Sequence, residues 1–154
     1  MKIEIPKLAP EGESLTGQEP AEILNLGAQE QVRTDSPVHY DFFVQVIGHE
    51  LVVRGSLSAR FAATCGRCAE IFSTNIAISD FLRTFELSEG QEVMDLADDI
   101  REEVLINLPH YPVCKSDCRG LCPQCGGNLN HGVCGCETPM ADLRWSGLDG
   151  LKLQ

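Results

Sequence analysis

The chain reads as an α+β protein: an antiparallel β-sheet or partial barrel with one packed helix, followed by a small cysteine-rich module. Three observations point there. Residues 38–63 alternate apolar and polar side chains with a period of two, residues 95–108 switch to a helical period, and six of the eight cysteines crowd into residues 114–136. With 154 residues, one domain with a small appendage is expected. We divide it as an α+β domain over 1–110, a cysteine-rich module over 111–140 and a tail over 141–154.

Taken in order, residues 1–8 (MKIEIPKL) suit a short strand, at an edge because of Pro6. Residues 9–36 are polar and Gly/Pro-bearing, with one weakly helical piece around Ala21–Leu26. Val38, Tyr40, Phe42, Val44 and Val46 alternate with polar neighbours, and Gly48-His49 suits a tight turn. Leu51, Val53, Leu57, Ala59, Phe61 and Ala63 continue the alternation in a second strand. A third strand is expected from Glu70 to Phe85, with Phe72, Ile76, Ile78 and Leu82 on one side, which leaves Cys65-Gly-Arg-Cys68 at the turn between strands two and three. Asp95 opens a helix whose Leu96, Ile100, Val104, Leu105 and Leu108 form an apolar stripe. Asp98, Asp99, Arg101, Glu102 and Glu103 are expected to face out, and Pro109 ends the helix.

No apolar run approaches the ~20 residues that span a bilayer, and the N-terminal residues lack the pattern of a secretory signal. A cytoplasmic location is expected, where reducing conditions disfavour disulfides. The formal net charge of −11 rules out nucleic-acid binding through bulk charge and favours basic partners.

The cysteines carry the chemistry. Cys122-Pro-Gln-Cys125 followed by two glycines has the character of a zinc knuckle: two intervening residues let both sulfurs aim at one point, and glycine permits the positive φ of the turn. With Cys134 and Cys136 this pair makes a first four-thiolate zinc site. Cys65, Cys68, Cys114 and Cys118 remain as a second set of four, by counting rather than by a spacing rule. Other arrangements stay open: Cys114 or Cys118 mixed with the knuckle, His110 or His131 replacing a cysteine, an empty CGRC, or disulfides. A redox CGRC would need the first cysteine at a helix N-terminus, whereas here it follows a strand. The four histidines form no nucleophile–base constellation, so no catalytic residue is assigned.

The order of strand hairpin, CGRC, acidic linker, the helix Asp95–Pro109 (DLADDIREEVLINLP), the run Gly120–Asn130 (GLCPQCGGNLN) and Asp142-Leu-Arg-Trp145 resembles the YceD family of large ribosomal RNA subunit accumulation proteins. The resemblance covers roughly Val38 to Leu148. It implies a non-enzymatic part in accumulation or processing of large-subunit ribosomal RNA and in large-subunit assembly. Partners would be that RNA or its precursors, a basic large-subunit ribosomal protein, or both, with neither a membrane nor a small-molecule substrate. An acidic adaptor for a basic ribosomal protein is the alternative, and a thiol redox or metal-delivery protein a third. Partner contacts are expected from Arg54 and Arg60 on one strand face and from Arg67, Lys115 and Arg119 near the cysteines.

Overall fold

The computed structural model describes residues 1–27, 32–34 and 36–136. Among these described residues, seven strands and one α-helix follow in order: β1 (Lys2–Glu4), β2 (Glu13–Glu19), β3 (Val32–Arg33), β4 (Val38–Ile47), β5 (Glu50–Thr64), β6 (Ile71–Glu86), β7 (Val93–Asp95) and α1 (Ala97–Ile106). All pairings are antiparallel. β1 pairs with β7, while β2, β4, β5, β3 and β6 form the larger sheet with β5 as its spine. The architecture is α+β, with the cysteines gathered at the C-terminal end of the chain and at one turn. The tail, 141–154, with Trp145, lies outside the described residues.

The alternation dictates this sheet. Even-numbered residues of β4 (Val38, Phe42, Val44) and odd-numbered residues of β5 (Leu51, Val53, Leu57, Ala59, Phe61, Ala63) point into one core. The two strands are joined at Gly48-His49, where Gly48 takes φ +64°, as a two-residue hairpin turn requires. Leu96, Ile100 and Val104 of α1 seal the same core, and the helix packs on the 3-10 turn Ala21–Leu24 and on β6.

Five expectations need correcting. Residues 9–36 hold a seven-residue strand, β2, paired with β4. Its inward residues include only one large apolar side chain, Leu15, so period-two patterning could not show it. The piece at Ala21–Leu26 is a 3-10 turn ending at Asn25, which takes φ 45°. The opening segment is a three-residue strand followed by a 3-10 turn at Ile5–Lys7. The helix is shorter than 95–108, with Asp95 Oδ1 accepting from the Ala97 N–H at 3.0 Å ahead of its first turn.

The fifth correction concerns β6. Gly55 faces Phe81, whereas Leu57 faces Ile78. β6 therefore spends one more residue than β5 across this interval, a bulge that reverses its inside–outside parity. Phe81 is buried as a result, and Leu82, expected inside, is exposed. The reversal also turns Arg83 toward α1, where it reaches Glu103 at 2.8 Å and Asp99 at 3.6 Å. Those two carboxylates are thus engaged at the sheet–helix seam, and Arg101 likewise donates to the Leu24 carbonyl at 3.1 Å.

Gly55 sits beside the bulge, between Phe42 on β4 and Phe81 on β6. The Phe42 and Phe81 rings stack at 4.7 Å, closing over the position that lacks a side chain. A Cβ on Gly55 would collide with the Asp41 carbonyl oxygen and lie 2.9 Å from the Phe42 Cα. Gly55→Ala is expected to destabilise the domain by about 1–3 kcal/mol, read as a lower urea midpoint. An unchanged midpoint would show that the strands part at no cost.

Candidate metal centres

Two turns of the chain are built alike. At Cys65-Gly-Arg-Cys68, the Cys65 N–H donates to Glu70 O at 2.8 Å and the Ala69 N–H to Cys65 O at 2.9 Å. At Cys122-Pro-Gln-Cys125, the Cys122 N–H donates to Gly127 O at 2.8 Å and the Gly126 N–H to Cys122 O at 2.9 Å. In both, the residue after the second cysteine has positive φ, 59° at Ala69 and 71° at Gly126. The CGRC turn is thus a second knuckle, with alanine where the other has glycine.

Each knuckle meets a second pair of cysteines. The sulfurs of Cys65, Cys68, Cys114 and Cys118 lie within 4.8 Å of one another, as do those of Cys122, Cys125, Cys134 and Cys136. In the first group Cys65 and Cys118 are 3.8 Å apart, as are Cys68 and Cys114. A disulfide needs about 2.05 Å, and all eight cysteines are free. A tetrahedral ion with metal–sulfur bonds of about 2.3 Å has sulfur–sulfur edges of about 3.8 Å. The donor set therefore fits a soft, four-coordinate ion.

The first group unites distant parts of the chain. Cys65 and Cys68 close the β5–β6 hairpin, while Cys114 and Cys118 follow the helix. The Gly66 N–H donates to Pro112 O at 2.8 Å, and the Cys114 N–H reaches Cys65 Sγ at 3.4 Å. Cys65, Cys68 and Cys118 are buried and Cys114 half-buried. The second group is more open, with Cys122 buried, Cys134 and Cys136 half-buried and Cys125 exposed.

The thiols of each group are electrostatically frustrated without a cation. In the first, the N–H of Cys114 above all holds Cys65 down to about 6 against the pull of burial, whereas burial and then neighbouring sulfurs push Cys114 up to about 12. In the second, the N–H groups of Cys125 and Gln124 bring Cys122 to about 6, and the side chains of Cys125 and Cys134 drive Cys136 up to about 12. One sulfur in each group is prepared as a thiolate while another is prevented from ionising beside it. A bound cation removes that conflict.

The other expected site residues are placed as follows. Arg54 and Arg60 are exposed on the outward face of β5, with Arg54 5.0 Å over the Phe43 ring. Arg67 is used internally: its Nη1 donates to Ser116 O at 3.1 Å and to Cys118 O at 3.3 Å. Lys115 lies 4.0 Å from Asp117, and Arg119 is exposed beside the first sulfur group. Neither His110 nor His131 joins a sulfur group; His131 Nε2 lies 2.8 Å from Glu70 Oε1. Sequence reasoning missed Asn130, whose Nδ2 donates to Cys118 Sγ at 3.4 Å. The only hint was its place in the Asn128-Leu-Asn130 turn.

Fold and site together define a small α+β protein whose sheet carries paired cysteine cages of metal-binding type. Residues 82–152 match the family profile described as large ribosomal RNA subunit accumulation protein YceD. An uncharacterized protein of Mycobacterium tuberculosis is 31% identical over 122 residues, 70% of this chain and 58% of its own length. One from Mycobacterium leprae is 29% identical over 108 residues, 61% of this chain and 50% of its own. The chain thus spans about half the length of these curated relatives. A protein of Arabidopsis thaliana named large ribosomal RNA subunit accumulation protein YCED homolog 1, chloroplastic, is 33% identical over 61 residues, covering 40% of this chain and 19% of its own. No solved structure matches. Over residues 82–152 the chain belongs to the YceD family.

Ala69 occupies the left-handed region, which costs an L-residue roughly 1–2 kcal/mol. Ala69→Gly is expected to raise the thermal midpoint of the loaded protein, and Ala69→Val to lower it. A lower midpoint for the glycine variant would contradict the shared knuckle geometry.

Proposed function

We propose that this protein is a non-enzymatic, cytoplasmic factor that supports accumulation and processing of large-subunit ribosomal RNA, and through it assembly of the large subunit. Two zinc ions hold its shape, one in each sulfur group. The family match over residues 82–152 carries the reading. The printed name of the Arabidopsis relative supports the RNA link, and the all-sulfur cages support zinc, for which closed four-thiolate sites are structural. Among the described residues, no helix is long and apolar enough to cross a membrane.

In this reading the ions do no chemistry. Thiolates fix the hairpin turn against the segment after the helix, and no residue is given a catalytic task. Contact with RNA falls on the outward face of the large sheet. There Arg54 and Arg60 stand six residues apart along β5, about 20 Å at strand spacing. Each borders a shallow recess: one of about 670 Å³ also lined by Phe43, Ser56 and Ser79 and by the carboxylates of Asp41 and Asp80, one of about 500 Å³ also lined by His39, Ser58 and Asn75. Guanidinium groups, hydroxyls and a partly open aromatic ring suit unpaired RNA rather than a duplex. Lys115 and Arg119 extend the contact beside the buried sulfur group.

The net charge of −11 favours a second reading, an adaptor for a basic large-subunit ribosomal protein. Eight thiolates around two divalent ions would add four further negative charges. Affinity capture with and without ribonuclease separates the two: a partner lost on RNA digestion supports the first reading, and one retained supports the second. R54E/R60E is expected to reduce association with large-subunit precursors at least about tenfold, consistent with two lost charge contacts. Unchanged association would remove the sheet face from the site.

The metal reading sets a pH dependence. Cys114 and Cys136, pushed up to about 12 without metal, carry protons at neutral pH that an incoming ion must displace. Affinity should therefore fall as pH falls, with zinc released on acidification from neutrality toward pH ~5. A chromophoric zinc indicator follows this, and release independent of pH would contradict thiolate ligation.

A further inference from the structure

The two sulfur groups are not separate. The loop that joins Cys125 to Cys134 belongs to the exposed group, yet it reaches onto the buried one. Asn130 Nδ2 donates to Cys118 Sγ at 3.4 Å, while Asn130 Oδ1 accepts the Arg119 N–H at 2.9 Å. One residue on, His131 Nε2 lies 2.8 Å from Glu70 Oε1, and the Cys68 thiol reaches the other oxygen of that carboxylate at 3.8 Å. Two sulfurs of the buried group, one on the hairpin and one on the module, are thus each touched from the same loop, directly or through Glu70.

The backbone ties the arrangement down. The Leu129 N–H donates to Gly120 O at 2.9 Å and the Leu121 N–H to Arg67 O at 3.0 Å, so residues 119–121 are clamped between the loop and the first knuckle. Gly120 takes φ +75°, and a Cβ there would come within 3.1 Å of Arg67 O.

From these contacts we infer that Asn130 couples the two metal centres: closure of the exposed centre by its ion seats the loop that supports the Cys118 thiolate of the buried centre, with the His131–Glu70 pair holding the loop against the first knuckle. Asn130 is a positioning residue, acting through Cys118. The inference rests on the metal reading above. Its physical basis is that a donor to a ligand sulfur stabilises the thiolate, and that loss of such a partner costs 10–100-fold in metal affinity. Beyond these backbone bonds, the loop that carries the donor is held at its two ends by Cys125 and Cys134. An empty exposed centre loosens both ends and weakens the seat of the donor.

The test compares four full-length chains in excess zinc: wild type, C134S/C136S, Asn130→Ala, and the combination. Native mass spectrometry counts ions, and amide hydrogen exchange reports protection at Cys65, Ala69 and Cys114 around the buried centre. The expected counts are two ions for wild type and for Asn130→Ala, and one for C134S/C136S. Protection at those amides should fall at least about tenfold in C134S/C136S, although all four buried ligands remain. Asn130→Ala should reproduce that loss, and the combined chain should lose no more than either alone, since both changes remove the same interaction. Asn130→Asp keeps the acceptor for Arg119 but discards the donor, and is expected to match or exceed the alanine effect. In cadmium-loaded protein, Asn130→Ala should move the NMR resonance of the buried ion, whose own ligand loses a hydrogen bond, more than that of the exposed ion.

Unchanged protection in C134S/C136S, or losses that add in the combined chain, would overturn the coupling while two ions in wild type left the metal reading standing. A wild-type chain holding no ion would overturn both.

Discussion

Four sulfur atoms from two remote stretches of chain, Cys65 and Cys68 on one side and Cys114 and Cys118 on the other, lie within 4.8 Å of one another. The rest of the molecule depends on this convergence. β5 and β6 run side by side for 15 and 16 residues, and their far end projects beyond the span that β4 covers. There two of the three inward positions of β5 are alanines, Ala59 and Ala63, on either side of Phe61. A compact ion with directional ligands can fasten such an end where apolar area is scarce. It also gives residues 113–136 a fixed seat, since this segment contributes no large side chain to the main core.

At the other end the sheet is held by packing. Phe42, Phe81 and Leu51 belong to the core that α1 joins, and Arg83 bridges to the helix carboxylates. The bulge and Gly55 make this possible, because they turn Phe81 inward where strict alternation would have placed Leu82. One face of the sheet is thereby committed to the core. The other presents serines, two arginines, a histidine, the Asp41 and Asp80 carboxylates and the edge of an aromatic ring. An acidic protein thus places two arginines and several hydroxyls on one sheet face, with Asp41 and Asp80 among them, and the sulfur groups flank that face rather than occupy it.

Much of this was legible in the residues. Strict alternation from Val38 to Ala63 fixed both the hairpin and its buried face, because each side chain alone decides its side of the sheet. The helix was legible from Leu96, Ile100 and Val104 for the same reason at a different period. The cysteines fell into two sets of four by the spacing of one knuckle and by counting the remainder, and the sulfurs do meet in those sets. β2 was invisible because its inward positions are Leu15, Gly17 and Glu19, of which only Leu15 is a large apolar side chain. Leu82 was misplaced because a bulge changes parity without changing composition. The roles of Asn130, Glu70 and Arg67 could not be read either. They arise from contacts between segments that are brought together only once the sulfurs converge.

The central claim is that the eight sulfurs bind metal. X-ray absorption at the metal edge of protein purified without added metal tests it most directly. The account predicts two zinc ions per chain, each in a shell of four sulfurs at about 2.3 Å. A shell containing nitrogen or oxygen, or disulfide-linked cysteines with no bound ion, would contradict it.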